Sequence, residues 1–434
     1  MTVSSSFDLD SINLSFLPSD DGSSFKGLPL VITPRSDSSL DFLSSWLEIN
    51  RSFVNDMLTK YGAVLVRGFN IDSSSDFEKA TLSLQPNLNN CYRGTSPRNL
   101  QKGTSFVFSA AEVPANYPIA QHLEMSFLPA PPRHLYFSCM KAPTSSGGET
   151  ALCDFRQVYR DLDPQLRQKL FDKGIRYTRT QKKVGSYFTF DVSDMVGWPE
   201  IYDTSDKEEV EKLCAKEGTP VQWEGPNKDT FVSITQSQPF QVHPITKEPV
   251  WFNHIQVFHW TTFPMELFYS FQRTLDPRLL LHCILVSIFC IINYGILGNR
   301  MSLETTFGDG TPISVREMQL IRSTIHTNLV FNRWSKGDIL CLDNFSTSHG
   351  RQPTYDRGRK VVVAWSEPFE KTNTFAWANH ATSATQAANF GENPQERSPE
   401  STLTKEGSLE SSRHDSLSEN TFLQEVAVSL ASKK

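Results

Sequence analysis

The tripeptide His122-Leu123-Glu124, together with His349 far downstream, constrains this chain more than any other feature. Residues two apart on a strand project to the same side, so His122 and Glu124 can reach one metal ion together. Two imidazoles and one carboxylate leave three octahedral positions open, the ligand set used by non-haem Fe(II) oxygenases. The third ligand must then arrive on a distant strand, as His349 would. A lone His-x-Glu is a weak signal, and each residue also reads as ordinary surface chemistry: a strand-end histidine, an exposed carboxylate, a turn histidine. The surroundings decide between these readings.

His122 lies in the run Gln121-His-Leu-Glu-Met-Ser-Phe-Leu-Pro-Ala-Pro-Pro-Arg-His-Leu-Tyr-Phe-Ser-Cys139, which continues through Lys141-Ala-Pro-Thr-Ser-Ser-Gly-Gly-Glu-Thr150. His349 lies in Gly337-Asp-Ile-Leu-Cys-Leu-Asp-Asn-Phe-Ser-Thr-Ser-His349-Gly-Arg-Gln-Pro, followed by Arg357-Gly-Arg359-Lys-Val-Val-Val-Ala-Trp365. Gly337-Asp338 reads as a turn feeding a strand over 339–342. From His349-Gly350 a hairpin is predicted, returning as the β-branched strand 361–363. Further upstream stand Leu28-Pro-Leu-Val-Ile-Thr33 and Tyr61-Gly-Ala-Val-Leu-Val-Arg-Gly-Phe69. Over roughly residues 27–370, except at 279–297, the chain resembles the taurine dioxygenase and clavaminate synthase-like family of Fe(II)/2-oxoglutarate oxygenases.

The resemblance implies a mainly β fold with flanking helices (α+β), a double-stranded β-helix or jelly-roll core. It implies Fe(II) held by His122, Glu124 and His349, with 2-oxoglutarate as co-substrate and O₂ and a small organic molecule as reactants. Glu124 stands where most of the family has Asp; clavaminate synthase-like members use Glu. The family places an arginine near Arg359, where a planar guanidinium can pair bidentately with the far carboxylate of 2-oxoglutarate. Arg357 is the alternative, because the length of this connection varies. Thr150 matches the threonine that bonds the same carboxylate. Residues 252–259 resemble the family's pocket-lining strand, and Asn253 or His254 is a candidate to touch substrate. Hydroxylation is the expected outcome; desaturation and ring closure share the same chemistry, and no residue identifies the substrate.

Composition narrows the rest. A chain of 434 residues with 38% hydrophobic content can bury a full core. Net charge −6 with no basic run argues against nucleic acid as a partner. Seven cysteines, odd in number and without a Cys-x-x-Cys pair, suit reduced thiols in a cytoplasmic protein. The amino-terminal residues are Ser/Asp-rich, with no signal-peptide pattern, and 1–26 is read as a flexible leader. Helical spacing is predicted over 39–60, 72–84, Pro164–Lys173 and Lys207–Lys216, with a strand at Ala63–Val66. From about 104 to 260 strand-like runs alternate with Pro/Gly turns, the pattern of a β-sandwich or barrel core. Residues 371–434 are read as a disordered tail ending in a short amphipathic piece at 422–430.

Residues 279–297 do not fit. They contain no formal charge and are long and apolar enough for a transmembrane candidate. They fall, however, between two blocks that must meet at one metal. Three readings compete: an atypical hydrophobic insertion packed on the barrel or at a homo-oligomer interface, translated intron sequence, or a membrane-associated hairpin. Two further functional readings stand beside the enzyme, a catalytically silent jelly-roll binding protein and a membrane-associated protein built around 279–297.

Overall fold

The computed structural model describes residues 9–18, 26–91, 98–110, 113–126, 130–186, 194, 197–216, 219–356 and 358–368. Two sheets form the core. The larger runs in the order β1 (Ile12–Phe16), β2 (Leu30–Pro34), β3 (Ala63–Val66), β16 (Ile339–Asp343), β7 (His134–Lys141), β18 (Lys360–Ser366), β4 (Leu88–Asn89), with β5 (Phe108–Ser109) also on β18. The smaller runs β15 (Val330–Asn332), β8 (Thr150–Asp154), β17 (Thr347–Arg351), β6 (Ile119–His122). Apart from parallel β2–β3, all pairs in these two sheets are antiparallel. Period-2 alternation turns Leu340, Leu342, Leu135, Phe137, Val361 and Val363 of one sheet toward Leu152 and Val330 of the other, in one buried cluster with Trp334 and Trp365. This is the jelly-roll core that the resemblance implied.

Helices α1 (Leu40–Ile49), α2 (Arg51–Tyr61) and α3 (Ser74–Leu84) pack beside β3, β7 and β16. The helical spacing over 39–60 resolves into two helices because Asn50 interrupts it: its side-chain amide and its backbone N–H both donate to the Trp46 carbonyl. α3 starts as expected, with a reciprocal capping box between Ser73 and Asp76. Between β8 and β15 lie α4 (Phe155–Asp161), α5 (Pro164–Lys173), α6 (Trp198–Tyr202), α7 (Lys207–Lys216), α8 (Thr262–Thr274), α9 (Pro277–Cys290) and α10 (Val315–Thr327). With them are a separate sheet, β10 (Val221–Glu224), β11 (Thr230–Ser237), β9 (Ile175–Gln181), β14 (Leu303–Phe307), and the pair β12 (Phe240–Val242) and β13 (Pro249–Trp251). α5 and α7 have the bounds read from the sequence.

Four expectations are corrected. Residues 12–16, inside the predicted leader, form the edge strand β1, paired from Ile12↔Pro34 to Phe16↔Leu30. Its apolar residues Ile12, Leu14 and Phe16 alternate as a strand's should, but serines and aspartates around them dominate the composition. His349 and the strand 361–363 do not form a hairpin: β17 pairs with β6 and β8, whereas β18 pairs with β7, in the other sheet. The connection is a crossover between sheets. Much of the strand pattern over 104–260 belongs to the separate β9–β14 sheet, since alternation reports a half-buried face without saying which sheet owns it. Residues 252–259 form turns, not a strand, because the Asn253 side chain accepts from the Ile255 N–H and donates to the Pro239 carbonyl. The predicted tail at 371–434, with its piece at 422–430, and Arg357 lie outside the described residues.

The apolar segment is helical. α9 continues into π-helical turns at Ile291–Ile296, and the helix Pro277–Ile296 is long and apolar enough to cross a membrane. One face packs on α8, where Leu279, Cys283, Val286 and Cys290 bury against Leu267.

Candidate metal centre and its surroundings

β6 is the edge strand of the smaller sheet, and its residue His122 pairs directly with His349 of β17. That register sets the two imidazoles side by side, with ring centroids 4.3 Å apart. Glu124 lies two residues past the end of β6, in a turn, and its Oε2 lies 3.8 Å from His122 Nε2 and 3.6 Å from His349 Nε2. The donor atoms of all three lie within 4.8 Å of one another. Two donors at right angles about 2.1 Å from one metal stand roughly 3 Å apart, so modest tightening makes these three a facial set. His122 Nδ1 donates to the Ala120 carbonyl at 2.9 Å, leaving Nε2 with the lone pair a metal needs.

The electrostatics favour a charged carboxylate beside a neutral His349. Burial alone would raise the Glu124 pKa, but the Arg98 guanidinium and the two adjacent imidazoles hold it well below the usual carboxylate range. Burial and the neighbouring His122 push His349 down to about 4, so its ring is neutral at physiological pH. Phe137 covers one side of that ring, centroid to centroid 5.0 Å.

The sequence reading missed several residues that build the site. Arg98 Nη2 donates to Glu124 Oε2 at 3.1 Å, with both side chains 7% exposed. Asn344 holds the backbone of Glu124 from both sides: its Oδ1 accepts from the Glu124 N–H at 2.7 Å and its Nδ2 donates to the Glu124 carbonyl at 3.0 Å. One amide in the β16–β17 connection thus ties both ligand segments together. Arg351, two residues past His349, donates to the carbonyls of Val113, Pro114 and Tyr117, fastening the segment that leads into β6. Arg98 carries no sequence signal, because it becomes informative only once the fold sets it against Glu124. Asn344 sits in the His349 block, but nothing in that block shows which backbone it would bond.

Of the two residues expected to bind 2-oxoglutarate, Thr150 starts β8 on the same side as Leu152, which pairs with His349. Its Oγ1 accepts from Trp334 Nε1 at 3.1 Å, so its own hydroxyl proton remains available to a ligand. Arg359 is half-buried and donates from Nε to the Gly148 carbonyl at 2.7 Å, two residues before Thr150. Gly148 is required there: its φ is +75°, and a Cβ would stand 3.0 Å from Arg359 Cδ. Asn253 has the structural role given above. His254 is closer to the chemistry, its ring 6.2 Å from that of His122 and its Nδ1 2.8 Å from Ser126 Oγ.

Gly350 provides a test of this assembly. A Cβ there would stand 2.6 Å from the Ile119 carbonyl and 2.5 Å from Gln121 Nε2, in the strand that carries His122. Gly350→Ala is expected to push β6 off β17, destabilise the fold by about 1–3 kcal/mol and weaken Fe(II) affinity. Thermal unfolding and metal titration of the variant check both; unchanged affinity would show that β6 and β17 are not held by this contact.

Comparison with known proteins follows the same direction. The sequence model of the family described as taurine catabolism dioxygenase TauD, TfdA family, matches residues 25–365. The chain belongs to this family. The oxygenase is 28% identical over 342 residues to the dapdiamide synthesis protein DdaC of Enterobacter agglomerans, covering 78% of this chain and 91% of that one. It is 26% identical over 352 residues to a clavaminate synthase-like protein of Arabidopsis thaliana, covering 78% and 93%. Among solved structures, a putative alpha-ketoglutarate-dependent taurine dioxygenase from Burkholderia xenovorans aligns with TM-score 0.45 and 14% identity, over 83% of this chain and 91% of that one. The protein is thus an oxidoreductase of the Fe(II)/2-oxoglutarate-dependent dioxygenase family, with a His-Glu-His set suited to the metal.

Buried imidazoles away from the metal set its acid limit. Desolvation lowers His134 and His259 to about 4. The unfolded chain would protonate both near 6.5, so it binds protons that the native state refuses. Stability is therefore expected to be full above pH 6.5 and to fall between pH 6.5 and 4, by about 3 kcal/mol for each imidazole. Urea unfolding across that window checks the loss; His134→Gln should reduce it by about half, leaving the part due to His259, and a flat wild-type profile would refute the assignment.

Proposed function

We propose that the oxygenase holds Fe(II) on His122, Glu124 and His349, anchors 2-oxoglutarate through Arg359 and Thr150, and hydroxylates a C–H bond of a small organic substrate in the cytoplasm. The observation that carries this reading is the convergence of the three donor atoms within 4.8 Å of one another. When bound, the metal and co-substrate supply the oxidising power, consuming O₂ and releasing succinate and CO₂; the protein supplies orientation. Asn344 and the Ala120 carbonyl fix the ligands, and Phe137 shields His349 from water. Arg98 keeps Glu124 ionised. His254 is placed to touch substrate beside the metal. The cytoplasmic setting is supported by seven free thiols, six of them buried.

Anaerobic titration with Fe(II) and then 2-oxoglutarate tests the reading. A visible charge-transfer band that His122→Ala lacks is expected; its absence from the wild-type protein would point to a silent jelly roll.

A further inference from the structure

α9 and its π-helical continuation have two unlike faces. The inner one is buried on α8, and its aromatic neighbours Phe289 and Tyr294 also turn toward that cluster. The outer one carries Leu281, Ile284, Leu285, Ile288, Ile291, Ile292, Ile296 and Leu297, each 48–73% exposed. Most of these positions lie three or four residues apart on one side of the helix, and the stripe spans residues 281–297, a length of about 25 Å. Eight aliphatic side chains about half exposed present on the order of 800 Å² of apolar surface, above the few hundred usual for a monomer's largest patch.

We propose that this stripe is the seam of a two-fold homodimer in which the helices of two copies pack against each other. Its spacing and width are those of a helix–helix contact, about a third of the circumference. Its area on one copy is close to the roughly 800 Å² per partner of a specific complex. No Asp, Glu, Lys or Arg occurs between Arg278 and Arg300, so apposing the stripe to itself sets no like charges across the axis. A lipid-facing helix would be rimmed by aromatic and free basic side chains. Here Phe289 and Tyr294 face inward, while Arg278 and Arg300 pair with Asp276 and Glu224.

The test is sedimentation of the full-length protein over a wide concentration range. A species of twice 49.1 kDa is expected. The double variant Ile284→Glu/Ile288→Glu should weaken association by at least ~100-fold, since it buries unpaired charges in the seam. Its circular dichroism and Fe(II)·2-oxoglutarate band should not change, because both positions are exposed and away from the metal centre. As a second measurement, Ile288→Cys should form an intermolecular disulfide under mild oxidation that wild type does not. A monomer at all concentrations, or a dimer that survives the double variant with its fold intact, would overturn the proposal. So would open-ended assembly, or flotation of a monomer with phosphatidylcholine vesicles, which would make the stripe a lipid-facing surface.

Discussion

His349→Ala is expected to abolish Fe(II) binding and, with it, all turnover. His349 would supply one of three donors, and its partners His122 and Glu124 belong to a single short segment. Without it, two ligands must hold Fe(II) against water, and the loss should exceed the roughly 10- to 100-fold that follows removal of an outer-shell partner. The substitution also removes a ring packed on Phe137 and paired across β6, so a folding control is needed. His349→Gln keeps most of the volume and should lose the metal while retaining native circular dichroism. Equilibrium dialysis against Fe(II) decides the matter: affinity equal to wild type would remove His349 from the ligand set.

The second large effect is expected at Arg359. Removing a guanidinium that pairs bidentately with a carboxylate should weaken 2-oxoglutarate binding by about 2–4 kcal/mol, roughly 30- to 1000-fold. Fe(II) affinity without 2-oxoglutarate should stay near wild type, since Arg359 hydrogen-bonds Gly148 and not a metal-ligand side chain. Arg359→Lys should recover only part of the loss, because lysine keeps the charge but not the planar fork. Titrating the charge-transfer band with 2-oxoglutarate measures both variants. If Arg357→Ala shows the loss and Arg359→Ala does not, the anchor lies two residues earlier.

The structure clarifies why some of this was legible in the chain and some was not. His122, Glu124 and His349 stand out because metal chemistry tolerates few donor types. The strand period expected to align the first two is not what does so, since β6 ends at His122 and Glu124 lies in the following turn, held by Asn344. α5, α7, the start of α3 and strand β3 follow from local rules of capping and alternation, which need no knowledge of neighbours. β1 was hidden because serines and aspartates surround three alternating apolar residues. The apolar character of 279–297 is plain in the sequence, but nothing there divides it into a face buried on α8 and a face left exposed.

The sequence by itself picked out the candidate ligand set, the kind of chemistry such a set supports and the helices with strong local signals. Only the tertiary structure decided that β17 and β18 lie in different sheets, that 252–259 turns instead of extending, and that Arg98, Asn344 and Arg351 brace the site. The physical reason is range. Side-chain chemistry and backbone periodicity are properties of neighbouring residues, whereas the Arg98–Glu124 pair and the Asn344 clasp on Glu124 exist only after two sheets have closed on each other.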